Sequence, residues 1–244
     1  MNMKKLTLLV AALSTISLAH ADSFLDQTYA SLKLGASIAK ANDLSKDYNY
    51  NQVNNVAGVV VDSGRGHAST SDDKTVFTGS VAYGYAFETL PVRAELEYTF
   101  RSKADLDNVS LWTNRSTDAE VRTQNLMANV YYDFKNKSKF TPYVSAGIGA
   151  AFNKLETVER TANVVTERAS DKKTDFAWAL GVGVNYEITN NLDLDLAYRY
   201  MDSGKVDATY RSRDVAVDYT ANQYSNYETK LKNHDFTVGL RYKF

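Results

Sequence analysis

"PVRAELEYTFR", Pro91 to Arg101, alternates without a slip. Val92, Ala94, Leu96, Tyr98 and Phe100 fall on one side of an extended chain, and Arg93, Glu95, Glu97, Thr99 and Arg101 fall on the other. Successive side chains of a strand point to opposite faces, so this segment has one apolar and one charged face. In a soluble protein the charges would meet water and the apolar face would be core. In a membrane the two faces exchange roles. The rest of the chain decides between these orientations.

The pattern recurs. Leu32, Leu34, Ala36 and Ile38 form one apolar row, and Phe77, Gly79, Val81, Tyr83, Tyr85 and Phe87 a second. After the quoted stretch come Leu126 to Phe134, Val144 to Phe152, Trp178 to Ile188, Leu192 to Tyr200 and Phe236 to Phe244. These eight segments are each near the roughly 9–11 residues of a tilted membrane strand. Their connections alternate in length. Glu88-Thr89-Leu90, Lys135 to Thr141 and Thr189-Asn190-Asn191 are short, whereas about 41–74, 103–122, 154–174 and 203–233 are long and polar. Strict alternation puts every long connection at one end of a closed up-and-down sheet. The expected fold is therefore all-β: an eight-stranded antiparallel transmembrane β-barrel with short periplasmic turns and four long extracellular loops.

A soluble eight-stranded barrel has the same period with the faces exchanged. Two features favour the membrane. The polar face is rich in small residues (Gly35, Ser37, Ser80, Gly84, Ser145, Gly147, Gly149, Gly181 and Gly183), which suit a narrow interior. Aromatic residues gather at the strand ends of the apolar face: Phe87, Phe134, Tyr186, Tyr242 and Phe244 at the short turns, and Tyr98, Phe100, Phe152, Trp178, Tyr198, Tyr200 and Phe236 at the long connections. Two such girdles mark the two membrane–water boundaries.

The start of the chain agrees. Lys4 and Lys5 precede an apolar run from Leu6 to Ala19 that leads into Ala19-His20-Ala21, the layout of a cleaved signal peptide. Residues 1–21 are expected to be that signal and residues 22–244 the barrel domain. The 244 residues carry 28 Lys+Arg against 29 Asp+Glu and no Cys. That balance offers nothing to nucleic acid, and the missing thiols exclude disulfides, thiolate metal sites and Cys nucleophiles.

Thr237, Gly239, Tyr242 and Phe244 in "TVGLRYKF" are similar to the closing-strand signal by which bacterial outer-membrane barrels are read by the assembly machinery. With "TPYVSAGIGAAF", "ALGVGVNYEITNNLDLDLAYRYMDSG" and "HDFTVGLRYKF", the chain resembles the small eight-stranded outer-membrane proteins. The likeness is to the opacity (Opa-type) family, with more distant kinship to OmpX and the OmpA transmembrane domain. The resemblance implies a Gram-negative surface barrel, conventionally labelled a porin family, whose loops bind host receptors or extracellular matrix.

Inside the barrel the expected charges are Lys33, Arg93, Arg101, Arg199, Arg241 and Lys243 against Glu95, Glu97, Asp133, Glu187, Asp193 and Asp195. Unpaired buried charge is costly, so they should pair across the lumen as a polar plug. Arg241 can meet Asp193 or Asp195; Glu95 and Glu97 can face Arg199 or Lys33.

Three functions compete. An adhesin would use its loops, with Tyr210, Tyr219, Tyr224 and Tyr227 either as anchors or as continuations of the last hairpin above the membrane. A small porin would need a narrow polar lumen. An outer-membrane enzyme would need His67 or His234 beside a nucleophile, and neither lies in a catalytic spacing. No catalytic residue, cofactor or metal ligand is expected: Asp72-Asp73 and Asp105/Asp107 lack a cation-loop spacing. Membrane lipid and lipopolysaccharide are expected partners, the latter through Arg101, Lys103, Arg122 and Lys154.

Overall fold

The computed structural model describes residues 27–112, 115–161, 164–215 and 218–244; the expected signal peptide lies outside them. The strands are β1 (Thr28–Asn54), β2 (Val60–Ala86), β3 (Val92–Arg101), β4 (Ala104–Trp112), β5 (Arg115–Asp133), β6 (Phe140–Thr161), β7 (Val164–Thr189), β8 (Leu192–Val215) and β9 (Tyr219–Lys243). All pairings are antiparallel, in the order β3-β2-β1-β9-β8-β7-β6-β5-β4, and a further β3–β5 ladder closes the ring. Strands β3 and β4 are one strand interrupted at Ser102-Lys103, and both pair with β5. The ring therefore has eight positions.

The barrel is inside out relative to a soluble protein. On β3, Glu97 is fully buried and Arg93, Glu95, Thr99 and Arg101 are nearly so, while Leu96 is 50% exposed. Leu34, Val130, Ile148, Leu180, Val238 and Leu240 also face outward. Leaving so much apolar surface in water would be costly at about 25 cal/mol per Å²; lipid removes that cost. Aromatic pairs brace both edges of the band. Tyr132–Phe134 (5.1 Å), Phe140–Tyr186 (4.8 Å) and Tyr242–Phe244 (5.4 Å) line the short-turn edge. Phe77–Phe100 (6.0 Å), Trp178–Tyr200 (5.5 Å) and Tyr198–Phe236 (5.1 Å) line the other. Among the described residues no helix is long and apolar enough to cross a membrane; strands make the crossing.

The long connections differ from the sequence expectation in form. Most of their length is strand. Strands β1 and β2 pair as far as Val53↔Val60, β6 and β7 to Thr161↔Val164, and β8 and β9 to Val215↔Thr220. Above the lipid the ring also splits. Pairing of β7 with β8 stops at Trp178↔Asp202, and pairing of β2 with β3 stops at Thr78↔Arg101. Beyond these points β2-β1-β9-β8 form one sheet and β4-β5-β6-β7 another. The two sheets bury an apolar core between them: Val76, Val206, Ala208, Tyr227 and Leu231 from the first meet Ala104, Ala119, Val121, Leu155 and Ala169 from the second. A transmembrane barrel thus continues outward as a β-sandwich.

At the β7–β8 seam, side chains replace the ladder. Gly204 has a left-handed φ of 73° where β8 shifts register between Asp202 and Lys205. Asp202 Oδ1 accepts from the Gly204 amide (2.9 Å), Asp175 Oδ2 accepts from the Lys205 amide (2.9 Å), and Lys173 Nζ reaches Asp207 (2.7 Å). The Lys205 amide, with the Phe176 amide on Asp175 Oδ1, holds the Asp175 carboxyl below its ordinary range.

Candidate functional site: the interior charge network and the outer sheets

The lumen is filled in layers. Nearest the short turns, Arg93 grips Asp133 bidentately through Nε and Nη2 (2.8 and 2.9 Å). Its guanidinium carbon lies 4.3 Å from the Tyr131 ring centre. Arg241 Nε meets Asp193 at 3.0 Å, with Lys243 on the other carboxylate oxygen at 3.0 Å. Tyr29 lies between Arg93 and Arg241.

In the middle layer Lys33 sits 3.5 Å from Glu95 and 3.4 Å from Glu97. Tyr131 donates to Glu95 (2.7 Å), Thr99 donates to Glu97 (2.7 Å), and Arg199 pairs with Glu97. Asp195 accepts from the Tyr143 hydroxyl at 3.0 Å. The third layer joins Arg101 to Asp235 (2.6 Å) and to Asn125 (2.6 Å), with Arg199 also 3.2 Å from Asp235. A small apolar layer of Met127, Ala151, Ala177, Ala179 and Met201 follows, and then the sandwich core. Between Lys33, Tyr131, Tyr143, Ser145 and Arg199 a cavity of ≈ 20 Å³ remains, room for about one water.

Sequence parity therefore found the network, with two changes. Glu187 is not part of it: it is exposed at the short-turn rim, and among the described residues no ion pair joins it to the lumen charges. Asp235 is a member that the sequence reading missed. It is almost fully buried and faces two guanidinium groups. Its signal lies in the sequence, because Asp235 has the parity of Thr237, Gly239 and Arg241 and sits one residue before Phe236, where the alternating run starts.

The loop tyrosines are also corrected. Tyr227 is buried in the sandwich core beneath Lys46, whose ammonium lies 5.3 Å from its ring centre, and Tyr210 packs against the same core. Neither is an exposed anchor, because their parity on β9 and β8 turns them between the sheets. Tyr224, of opposite parity, is exposed and carries the Arg211 guanidinium at 5.4 Å. The side chain of Tyr219 lies outside the described residues, as do those of Asp72 and Asp107. Gly239 is buried inside the barrel and Thr237 partly so, while Tyr242 and Phe244 look outward.

Arg101, expected among the groups available to lipopolysaccharide, is instead buried in the lumen. Lys103, Arg122, Lys154 and Lys172 do lie outward above the aromatic edge, and Arg122↔Lys154↔Lys172 face one another across β5, β6 and β7. Carboxylates partner several of them: Glu120 is 2.6 Å from Arg122 and Glu156 is 2.5 Å from Lys154. The Lys154 contact holds the Glu156 carboxyl below its ordinary range. His67 pairs with exposed Asp47 at 2.7 Å, and His234 accepts from or donates to the Tyr198 hydroxyl at 2.8 Å. Neither contact brings a Ser or Thr hydroxyl to the histidine. Among the described residues, no group of three or more His, Cys, Asp or Glu could hold a metal ion.

A closed ring of strands with lipid-facing Leu, Val and aromatics around a charged, filled interior defines a transmembrane β-barrel of the Gram-negative outer membrane. The chain belongs to the outer membrane protein beta-barrel domain family, whose model matches residues 6–244. It is 33% identical to "Outer membrane protein PagN" of Salmonella typhimurium over 88% of this chain and 89% of that protein. It is 27% identical to a Rickettsia bellii protein named "Putative adhesin", covering 98% of this chain and 99% of the other. Among solved structures, Neisserial surface protein A aligns with 19% identity and a TM-score of 0.48, over 89% of this chain and 97% of that one. The family description and these two sequence relatives carry non-enzymatic names.

Proposed function

We propose that this protein is an adhesin-type surface barrel: the membrane segment is a closed anchor, and contact with a host surface is made by the two extracellular sheets. The observation that carries this reading is the sandwich core of Leu155, Val206, Tyr227 and Leu231. It stiffens hairpins that run about 50 Å past the lipid on β1 at roughly 3.3 Å per residue, a form suited to presenting a surface at a distance. The relative named as an adhesin supports it. Displayed in a non-adherent Gram-negative host, the protein should confer binding to cultured epithelial cells. Equal binding by cells carrying an unrelated eight-stranded barrel would refute the reading.

Two partners complete it. The row Arg122, Lys154 and Lys172, with Lys103 joined to it through Glu120, would meet lipopolysaccharide phosphates by charge-assisted hydrogen bonds. Neutralising all four should weaken lipopolysaccharide retention in purified protein; unchanged retention would count against the contact. Thr237, Gly239, Tyr242 and Phe244 are the groups that the assembly machinery would read, and Phe244→Ala should lower the yield of folded barrel in the membrane; an unchanged yield would count against that role.

A further inference from the structure

Charge at the short-turn rim is gathered in one place. The turns Glu88-Thr89-Leu90 and Thr189-Asn190-Asn191 carry no cation, whereas β5 joins β6 through Lys135-Asn136-Lys137-Ser138-Lys139. All three lysines are exposed, and among the described residues no carboxylate pairs with any of them. Asp133, just before the turn, is buried on Arg93. Glu187 lies beside the turn on β7, its amide donating to Lys139 O (2.9 Å), yet it forms no ion pair with Lys139.

The turn holds its own shape. Asn136 Nδ2 donates to Phe134 O (3.3 Å) and to Phe140 O (2.8 Å), which closes the loop on both flanking strands. Asn136 Oδ1 accepts from the Ser138 amide (2.7 Å) and hydroxyl (2.6 Å), and the Phe140 amide donates to Ser138 Oγ (3.2 Å). The other polar side chains of the loop are thus bonded within it, and the lysines are left to meet the surroundings. A backbone already fixed loses little freedom on binding.

Height decides what those surroundings are. Phe134 and Phe140 flank the turn, are 49% and 55% exposed, and belong to the aromatic edge of the lipid band. A loop closed between them extends no more than about 10 Å past them, because extended chain advances at most about 3.3–3.6 Å per residue. The ammonium groups therefore lie in the headgroup layer of the periplasmic leaflet, where a lysine stem follows the apolar edge and its head reaches a phosphate.

We propose that the β5–β6 turn is a binding site for an anionic phospholipid headgroup of the periplasmic leaflet, of the phosphatidylglycerol type. The proposal is independent of the adhesin reading and concerns the opposite end of the barrel. A zwitterionic headgroup carries its own ammonium, which Lys135, Lys137 and Lys139 repel. A phosphatidylglycerol headgroup brings one uncompensated phosphate charge, and clustered lysines at a membrane surface attract such lipids. The cell wall is a second polyanion on this side of the membrane, but a turn this short does not leave the headgroup layer.

The test uses the purified folded barrel in neutral detergent, with phosphatidylglycerol or phosphatidylethanolamine of the same acyl chains added and the retained lipid read by native mass spectrometry. Wild type should retain phosphatidylglycerol about tenfold better, equivalent to about 1.4 kcal/mol. K135Q/K137Q/K139Q should lose that preference at unchanged heat-modifiable gel mobility, and K135R/K137R/K139R should keep it. R122Q/K154Q/K172Q, altered at the other edge of the lipid band, should also keep it. The proposal falls if wild type shows no preference, if the glutamine triple variant at the turn keeps it, or if the folded arginine variant loses it. Loss in R122Q/K154Q/K172Q instead would move the lipid to the outer row and overturn the assignment. Sedimentation with purified cell-wall sacculi that depends on the three lysines, without a lipid preference, would overturn it in favour of the cell wall.

Discussion

Arg101 on β3 and Asp235 on β9 meet at 2.6 Å across the lumen, 134 positions apart in the chain. Asp235 also faces Arg199 at 3.2 Å, so one carboxylate balances two buried guanidinium groups. With Asp235 in and Glu187 out, the lumen charges are Lys33, Arg93, Arg101, Arg199, Arg241 and Lys243 against Glu95, Glu97, Asp133, Asp193, Asp195 and Asp235. Charge balance and dense hydrogen bonding explain why a polar interior can hold a scaffold together.

Asp235→Ala should destabilise the barrel by about 3–5 kcal/mol, because it strands Arg101 and leaves Arg199 with Glu97 alone. Glu97→Ala should do the same, because it leaves Lys33 with Glu95 alone and Arg199 with Asp235 alone. Glu187→Ala, at the exposed rim, should change stability by no more than about 0.5 kcal/mol. Urea unfolding in detergent, followed by heat-modifiable gel mobility, separates these outcomes; equal midpoints for Asp235→Ala and wild type would refute the network's role.

Because the interior layers leave a cavity of only ≈ 20 Å³ between Lys33, Tyr131 and Arg199, the lumen should not conduct as an open pore. Planar-bilayer recordings of the purified protein should lack steady porin-sized steps. Stable channels in the wild type would restore the small-porin alternative.

Leu155→Ala should cost about 2–5 kcal/mol within the sandwich, where Leu155 is fully buried. Tyr227→Ala should act likewise, whereas Tyr224→Ala should leave stability almost unchanged. Surface protease shaving should then cut the extracellular sheets faster in the first two variants, with the membrane band intact. Equal cleavage in all three would show that the sheets do not share a core.

At Gly204, an added Cβ would lie 2.6 Å from the Asp175 carboxylate carbon. Gly204→Ala therefore combines left-handed strain of about 1–3 kcal/mol with a clash, and should loosen the β7–β8 seam. Faster amide exchange around Lys205 would report it.

The same seam should depend on pH. The Asp175 carboxyl is held below its ordinary range by the Lys205 and Phe176 amides. Its contribution is therefore present above the usual carboxylate pKa of about 4 and is lost as pH falls through the lowered folded value. Exchange protection at Lys205 should decline on acidification in the wild type. In Asp175→Asn it should already be weakened at neutral pH and should lack that acid step.

The membrane strands were legible from parity because their two faces meet opposite environments. Leu96 touches lipid and Glu97 touches a charged lumen, so each position is constrained to one residue class. Above the lipid this contrast fades. The outer face of β1 beyond Lys40 meets water, and the inner face meets a narrow core of Ala, Val and Tyr mixed with Gly and Ser. Alternation there is weak, which is why the hairpins read as polar loops and why Tyr210 and Tyr227 could not be distinguished from Tyr224.

Local chemistry by itself determined that the chain forms strands, which face is apolar, where the girdles lie and that the lumen carries charge. Each of those follows from a period of two and from the length of a membrane crossing. Only the tertiary structure decided the partners: that Asp235 joins the network and Glu187 does not, that the ring opens above Trp178 and Thr78, and that two sheets close on Leu155 and Tyr227. Those outcomes depend on register between strands far apart in sequence, where a shift of one residue turns a side chain from the lumen to the lipid.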